Sequence, residues 1–245
     1  MIAGSSRPMA DLRPRAGAED LFNVGRRACA ARRALFGDAA TFIRSRQLLA
    51  TGAWRGPRDA ALSFVDEDDL PALGGLAAAR TAGARVLVGD GPAALDQALA
   101  AGGLRVLWRM PYRAGEGDDL RRRRFAAVAQ ALSDGAAPWA VLPTPDGEPQ
   151  GLDTLDVTAR CRLDLPGSHH VVADFQRLGP RLAQMALGFG ADELFGPIVA
   201  ERALRLGDNA RNPAMTRKEA ATLIRGAGLR PFERGIGDAL DEAAP

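Results

Sequence analysis

Cysteine is almost missing from this sequence: Cys29 and Cys161 are its two thiols, and they stand far apart in the chain. Without a secretory leader ahead of it, a pair so spaced reads as two free buried thiols rather than a disulfide. Histidine is as scarce, with only the adjacent His169 and His170, so a zinc site of cysteine–histidine spacing is excluded. Lys218 is the one lysine; the predominance of arginine reads as genome composition and not as an interaction surface. No charge of one sign dominates. The 32 basic and 30 acidic residues leave a formal +2, which excludes the excess that draws a protein to nucleic acid or to anionic membranes. Long hydrophobic runs are missing too, since arginine and acidic residues interrupt even the alanine-rich stretches, and no segment is long and apolar enough to cross a bilayer. The opening stretch MIAGSSRPMADLRPRAGAEDL lacks the apolar core of a secretory signal. The expectation is a cytoplasmic protein with a loose tail at 1–16, one domain at 17–240 and a short tail at 241–245. Nucleophile elbow, Walker loop and triad order are all lacking, so no motif favours a reaction class.

What is present is a regular alternation of short apolar runs and amphipathic alanine–leucine stretches, the pattern of repeated βα units around a parallel sheet. The reading places a helix over 18–35, then FIRSRQLL as an opening strand and the breaker TGAWRGPRD. Strands follow at ALSFV, ARVLVGD, LRVLWRM, PWAVLPTP and HHVVADF, with a short one around ELFGPIV. Helices are expected over 70–82, over GPAALDQALAAG, over LRRRRFAAVAQALSDG with Phe125, Val128, Ala129 and Leu132 on one face, over GLDTLDVTARCRLDL and over RLGPRLAQMALGFG. Thr216 with Glu219 three residues on makes a capping-box signal for a C-terminal helix. These elements predict an α/β protein with about six or seven strands, most simply a parallel (βα) barrel, shortened or partly open. The rival is a doubly wound open sheet, in which the VGDGP turn would cradle a phosphate. That glycine pair lacks the spacing of a dinucleotide fingerprint, and a simple turn is the preferred reading.

One resemblance favours the barrel. The segments ARCRLD, LGPRLAQMALGFGAD and AGLRPFER resemble the last part of the menaquinone-pathway radical S-adenosylmethionine enzymes, aminofutalosine synthase and cyclic dehypoxanthinyl futalosine synthase, with the deazaflavin-precursor synthases as cousins. The likeness is close over 105–240 and faint over the helix at 18–35 and GDAATFIRSRQ. It implies a barrel of the radical-enzyme type. Those enzymes have eight strands, so about two βα units of some 30 residues each are expected to be missing here.

The departures carry the functional reading. Where the family has its Cys-x3-Cys-x2-Cys loop after the opening strand, this chain has ATGAWRGPRDAALSF. A four-iron cluster needs three thiolates clustered in one loop, so the expectation is no iron–sulfur cluster, no metal and no binding of S-adenosylmethionine. Phe195, Gly196 and Pro197 replace the family's Asp-Gly-Thr, PYRAGEG replaces a Gly-His-Glu strand end with Glu116 as its acidic stand-in, and Phe175 takes a tryptophan position. His170 aligns with a family histidine; being adjacent on a strand, His169 and His170 point to opposite faces, and a packed imidazole is preferred over a metal ligand.

Side chains at the C-terminal ends of barrel strands line the functional face. The ligand-binding candidates are therefore Asp66, Glu67, Asp90, Arg109, Tyr112, Glu116, Thr144, Asp146, His170 and Asp174, each of which reads equally as a solvated loop residue. The resulting expectation is a noncatalytic or accessory protein linked to the futalosine route. It would act as a partner subunit of an intact radical-enzyme homologue or bind a small anionic metabolite. Two alternatives are kept. One is a metal-independent acid–base enzyme using Asp66 or Asp174 with Arg109 and His170; the other is a purely structural barrel.

Overall fold

A computed structural model describes residues 20–56, 58, 60–90, 104–113, 115–133, 139–167, 169–199, 214–234 and 240–242. Helix α1 (Leu21–Phe36) leads into β1 (Ala39–Phe42), β2 (Ser45–Leu48), β3 (Trp54–Arg55) and β4 (Leu62–Asp66). A 3-10 turn (Glu67–Asp69), α2 (Leu70–Leu73) and α3 (Leu76–Thr81) precede β5 (Val86–Asp90) and β6 (Arg105–Tyr112). Then come α4 (Asp118–Ser133), β7 (Ala140–Pro145), α5 (Gly151–Leu163) and β8 (His170–Asp174), followed by α6 (Phe175–Leu178), α7 (Pro180–Leu187), β9 (Glu193–Phe195) and β10 (Ile198–Val199). The remaining described elements are β11 (Met215–Thr216), α8 (Arg217–Gly226), β12 (Arg230–Arg234) and β13 (Leu240–Glu242). The expected helix over GPAALDQALAAG and the tail at 1–16 lie outside the described residues. No helix among the described residues is long and apolar enough to cross a membrane.

Eleven strands form one sheet in the order β13-β12-β1-β9-β8-β7-β6-β5-β4-β2-β3. Every neighbouring pair from β12 to β2 is parallel; β13 and β3 add antiparallel edges. Only Ile43 and Arg44 separate β1 from β2, yet β1 lies beside β9 and β2 beside β4. A single stretch of chain thus meets both flanks of the parallel run. Ser45 Oγ donates to the carbonyl of Gly196, just beyond β9, at 3.0 Å, and the sheet curls as a barrel sheet does.

The alternation of side chains across each strand divides the core in two. Val86 and Val88, Leu107, Ala140 and Leu142, Val172 and Phe195 form the cluster on the inner face. Their neighbours Leu87, Val106 and Trp108, Val141, Val171 and Ala173 join the outer cluster with helix residues such as Phe125, Leu155, Leu187 and Ile224. Both faces of the strands are covered, which is why they read as nearly continuous apolar runs.

Several elements divide where the sequence suggested one. The helix expected over 70–82 breaks at Gly74 and Gly75, both at positive φ. The RLGPRLAQMALGFG helix breaks at Gly179, whose φ of 78° interrupts it before Pro180 opens α7. FIRSRQLL contributes to two strands, and ELFGPIV to two more, the second of which pairs with β11 in a separate small sheet. The capping box at Thr216 is formed as expected, with the hydroxyl and the Glu219 carboxylate exchanging hydrogen bonds with each other's backbone amides.

Candidate functional site

The inner-face alternation places particular side chains at the two ends of the barrel. Counting in steps of two from the inner core residues brings Asp66, Asp90, Arg109, Thr144 and Asp174 to the C-terminal mouth, and His170 and Glu193 to the N-terminal floor.

At the mouth Arg109 organises its neighbours. Its Nη1 donates to Asp66 at 3.0 and 3.1 Å and lies 3.3 Å from Asp68, while its Nε donates to Asp90 at 2.7 Å. Glu67 accepts from the Asp90 amide at 2.5 Å. Four sequence candidates, Asp66, Glu67, Asp90 and Arg109, are therefore brought together, and Asp68 joins them. Burial is the largest influence on Asp66 and raises its pKa, with the Asp68 amide and the charge of Arg109 opposing. Burial also works against the charge of Arg109, but Asp66 and Asp90 more than offset it, and its pKa is raised.

The other mouth candidates are bound to their own surroundings. Asp174 caps α6 by accepting from the amides of Gln176 and Arg177, at 2.9 and 3.4 Å; burial pushes its pKa up to about 6 against Arg177 and those amides. The Thr144 hydroxyl donates back to the Leu142 carbonyl at 3.0 Å. Tyr112 is buried with its hydroxyl 2.7 Å from that of Thr154, and burial pushes its pKa up to about 12. Glu116 pairs with Arg124 at 2.8 Å and lies 3.6 Å from Arg121, and Asp146 pairs with Arg113 on the exposed surface.

His170 stands at the other end. It begins β8 and Asp174 ends it, so four residue steps of about 3.3 Å separate them by roughly 13 Å. The acid–base grouping of Asp66 or Asp174, Arg109 and His170 is not assembled. His170 Nδ1 faces Asp192, which also takes Arg162 and the Val171 amide. Arg234 Nη2 lies 2.8 Å from His170 Nε2 and 2.8 Å from Glu193, and Thr41 donates to Glu193 at 2.8 Å. Phe36 stacks on the imidazole at 4.8 Å. Burial raises the pKa of Glu193, with Arg234 opposing. Sequence reasoning did not single out Asp192, Glu193, Arg162 or Arg234 as site residues. The signal was nevertheless there, for Arg162 belongs to ARCRLD, Asp192 to GFGAD and Arg234 to AGLRPFER. The three segments that carry the resemblance converge on one floor network.

The donor set for an iron–sulfur cluster does not fit. Cys29 sits on α1, with its thiol 2.7 Å from the Gly188 carbonyl, and Cys161 is buried on α5, where burial drives its pKa upward. Neither lies at a strand end. After β2 the chain turns within Leu49–Ala53 and returns as β3, with the Arg46 guanidinium 4.2 Å from the centre of the Trp54 ring. Gly56, at φ 124°, packs so closely on Arg46 that a β-carbon there would lie 2.9 Å from its α-carbon. Among the described residues no group of three histidine, cysteine or carboxylate side chains is arranged to hold a metal ion.

The chain matches no protein-family model. Among curated proteins it is 33% identical over 84 residues to the aminodeoxyfutalosine synthase of Thermus thermophilus, covering 34% of this chain and 23% of that enzyme. Over 85 residues it is 35% identical to the aminodeoxyfutalosine synthase of Streptomyces coelicolor, covering 34% and 22%. Over 85 residues it is also 35% identical to a Methanosarcina barkeri 5-amino-6-(D-ribitylamino)uracil–L-tyrosine 4-hydroxyphenyl transferase, covering 34% and 23%. The matches thus span less than a quarter of those relatives' length. Among solved structures it shares its fold with methylornithine synthase PylB (TM-score 0.56, 13% identity, 90% of each chain). It shares it also with HydG, a maturase of the [FeFe]-hydrogenase (TM-score 0.59, 9% identity, 88% of this chain and 70% of that one). The expected α/β fold with a barrel-type parallel sheet is borne out, and over about a third of its length the chain is similar to the aminodeoxyfutalosine synthases.

Proposed function

We propose that the chain is a cluster-less, noncatalytic relative of the futalosine-route radical enzymes of menaquinone biosynthesis, acting as a partner subunit for an intact homologue. The observation that carries this reading is the division of labour between the two ends of the barrel. The segments resembling the synthases meet at the floor, the end that serves stability in parallel barrels. At the mouth, where catalysis sits in such folds, the polar candidates among the described residues are spent on one another and on helix capping. A framework kept without its chemistry suits a subunit that offers shape.

The charge at the mouth favours a subunit over a binder of an anionic metabolite. Asp66, Asp68 and Asp90 surround one guanidinium, with Glu67 bound to the Asp90 amide, and an incoming anion would meet this carboxylate excess among the described residues. The acid–base alternative lacks its assembled histidine, and the purely structural reading becomes an outcome of the same test.

The test is anaerobic co-purification of the full chain with a cysteine-complete aminodeoxyfutalosine synthase, with iron, sulfide and S-adenosylmethionine cleavage assayed on the chain alone. Co-elution at a fixed ratio and an iron-free chain are expected. Stoichiometric iron and sulfide with reductive cleavage by the isolated chain overturns the noncatalytic reading. Failure to co-elute, with no binding of futalosine metabolites, leaves the structural barrel.

A further inference from the structure

Helix α1 meets the end of α7 on the outer surface of the barrel. Gly25 of α1 packs so closely on Phe189, just past α7, that a β-carbon there would come within 2.6 Å of the ring. The Cys29 thiol meets the Gly188 carbonyl beside it. Each helix feeds a parallel strand, α1 into β1 and α7 into β9, so the two run in the same direction. One turn back from the contact lie Phe22 on α1 and Met185 on α7. Both side chains face solvent, 70% and 52% exposed.

The charges around this apolar pair are of one sign. Along α1 the solvent-facing stripe continues from Phe22 through Arg26 to Arg33 at helical spacing, with Arg27 beside it. On α7 the exposed Arg181 lies one turn before Met185. Neither helix carries an acidic residue. Arg32 alone turns inward, to the Gly37 and Ala39 carbonyls. In a chain whose basic and acidic residues nearly balance, this is a segregated surface. Two copies joined through it would set arginine against arginine. The main apolar stripes of both helices are already packed into the core, which leaves too little for insertion into a lipid surface. What fits is a protein face offering carboxylates around an apolar recess.

Resting on the subunit reading above, we propose that the α1–α7 flank docks the chain on an acidic surface of its partner protein. Phe22 and Met185 supply the apolar anchors, and the arginines around them steer the encounter and fix its register.

The test measures the Kd between the full chain and a cysteine-complete aminodeoxyfutalosine synthase at low and raised salt. The Arg26→Glu/Arg33→Glu pair and, separately, Phe22→Ala are each expected to weaken binding about tenfold or more, while Arg26→Lys/Arg33→Lys stays within about threefold of the native chain. Raised salt should weaken the native complex. These side chains all face solvent, and thermal melts check that each variant folds. A native chain that binds, with variants that bind equally well, overturns the flank alone and leaves the subunit reading standing; a native chain that does not bind removes both. Flotation with anionic phosphatidylglycerol vesicles that the glutamate pair abolishes assigns the flank to lipid and also overturns the proposal.

Discussion

Arg109, on β6, reaches across β5 to place its Nη1 3.0 Å from Asp66 at the end of β4. One guanidinium thereby ties three consecutive strand ends together, and Asp90 on the strand between completes the tie. Replacement by methionine keeps much of the volume and removes the charge, leaving the largely buried Asp66 carboxylate facing the exposed Asp68 and Asp90 without a cation between them. Arg109→Met is expected to cost about 1–3 kcal/mol in urea unfolding. Adding Asp66→Asn should restore about 1 kcal/mol through coupling between the two sites. Strict additivity would mean that the pair contributes nothing.

Asp174 predicts a pH profile. Its folded-state pKa is raised to about 6 by burial, so the folded protein holds the proton more tightly than the unfolded chain does. The associated stability is fully present below the ordinary aspartate range and is lost as pH rises through about 6. Asp174→Asn keeps an oxygen that can cap α6 and removes the burial cost of the charge. It should therefore stabilise the protein at pH 8, by up to about 3 kcal/mol, and lose that advantage near pH 4. Thermal melts at the two pH values give the comparison.

His169 acts in the opposite direction. Burial, with Arg162 nearby, lowers its pKa, so the unfolded chain takes up the proton more readily. Stability is present at neutral pH and is lost as pH falls through the ordinary histidine range. His169→Gln is expected to flatten the acid limb of a melting-temperature profile between pH 8 and pH 5. An unchanged limb would place the acid sensitivity elsewhere.

Gly196 closes the wall of the mouth. Its φ is 141°, and a β-carbon there would come within 2.5 Å of the Phe175 ring. Gly196→Ala is expected to destabilise by about 2–4 kcal/mol through backbone strain and overpacking together. Gly147 also has positive φ but open space around it, and Gly147→Ala should cost only about 1–2 kcal/mol. Chemical denaturation of the two variants separates strain from collision.

The strands were legible because a sheet covered on both faces needs unbroken apolar runs, as in RVLVGD and LRVLWRM. The splitting at Gly75 and Gly179 was less so, since positive φ leaves no mark on hydrophobic spacing. β12 escaped notice because Arg230, Glu233 and Arg234 dilute its apolar signal. Their charges are nonetheless engaged, with Asp38, Arg44 and Arg217, and Glu193 respectively. At the mouth, the strand-end rule named Asp66, Asp90 and Arg109 one by one, and their pairing came only with the structure. His170 was grouped with them although it opens its strand, because the resemblance supplied its identity without its direction along the barrel.

The two-residue link of Ile43 and Arg44 between β1 and β2 bears on how the polypeptide acquires its shape. Thr41 meets Glu193 across 152 residues and Arg234 across 193, so the earliest strand finds those neighbours only after most of the described sequence has been synthesised. During translation its apolar face waits for them, and contacts so distant in sequence form slowly. Closure at this seam should be a late event in maturation.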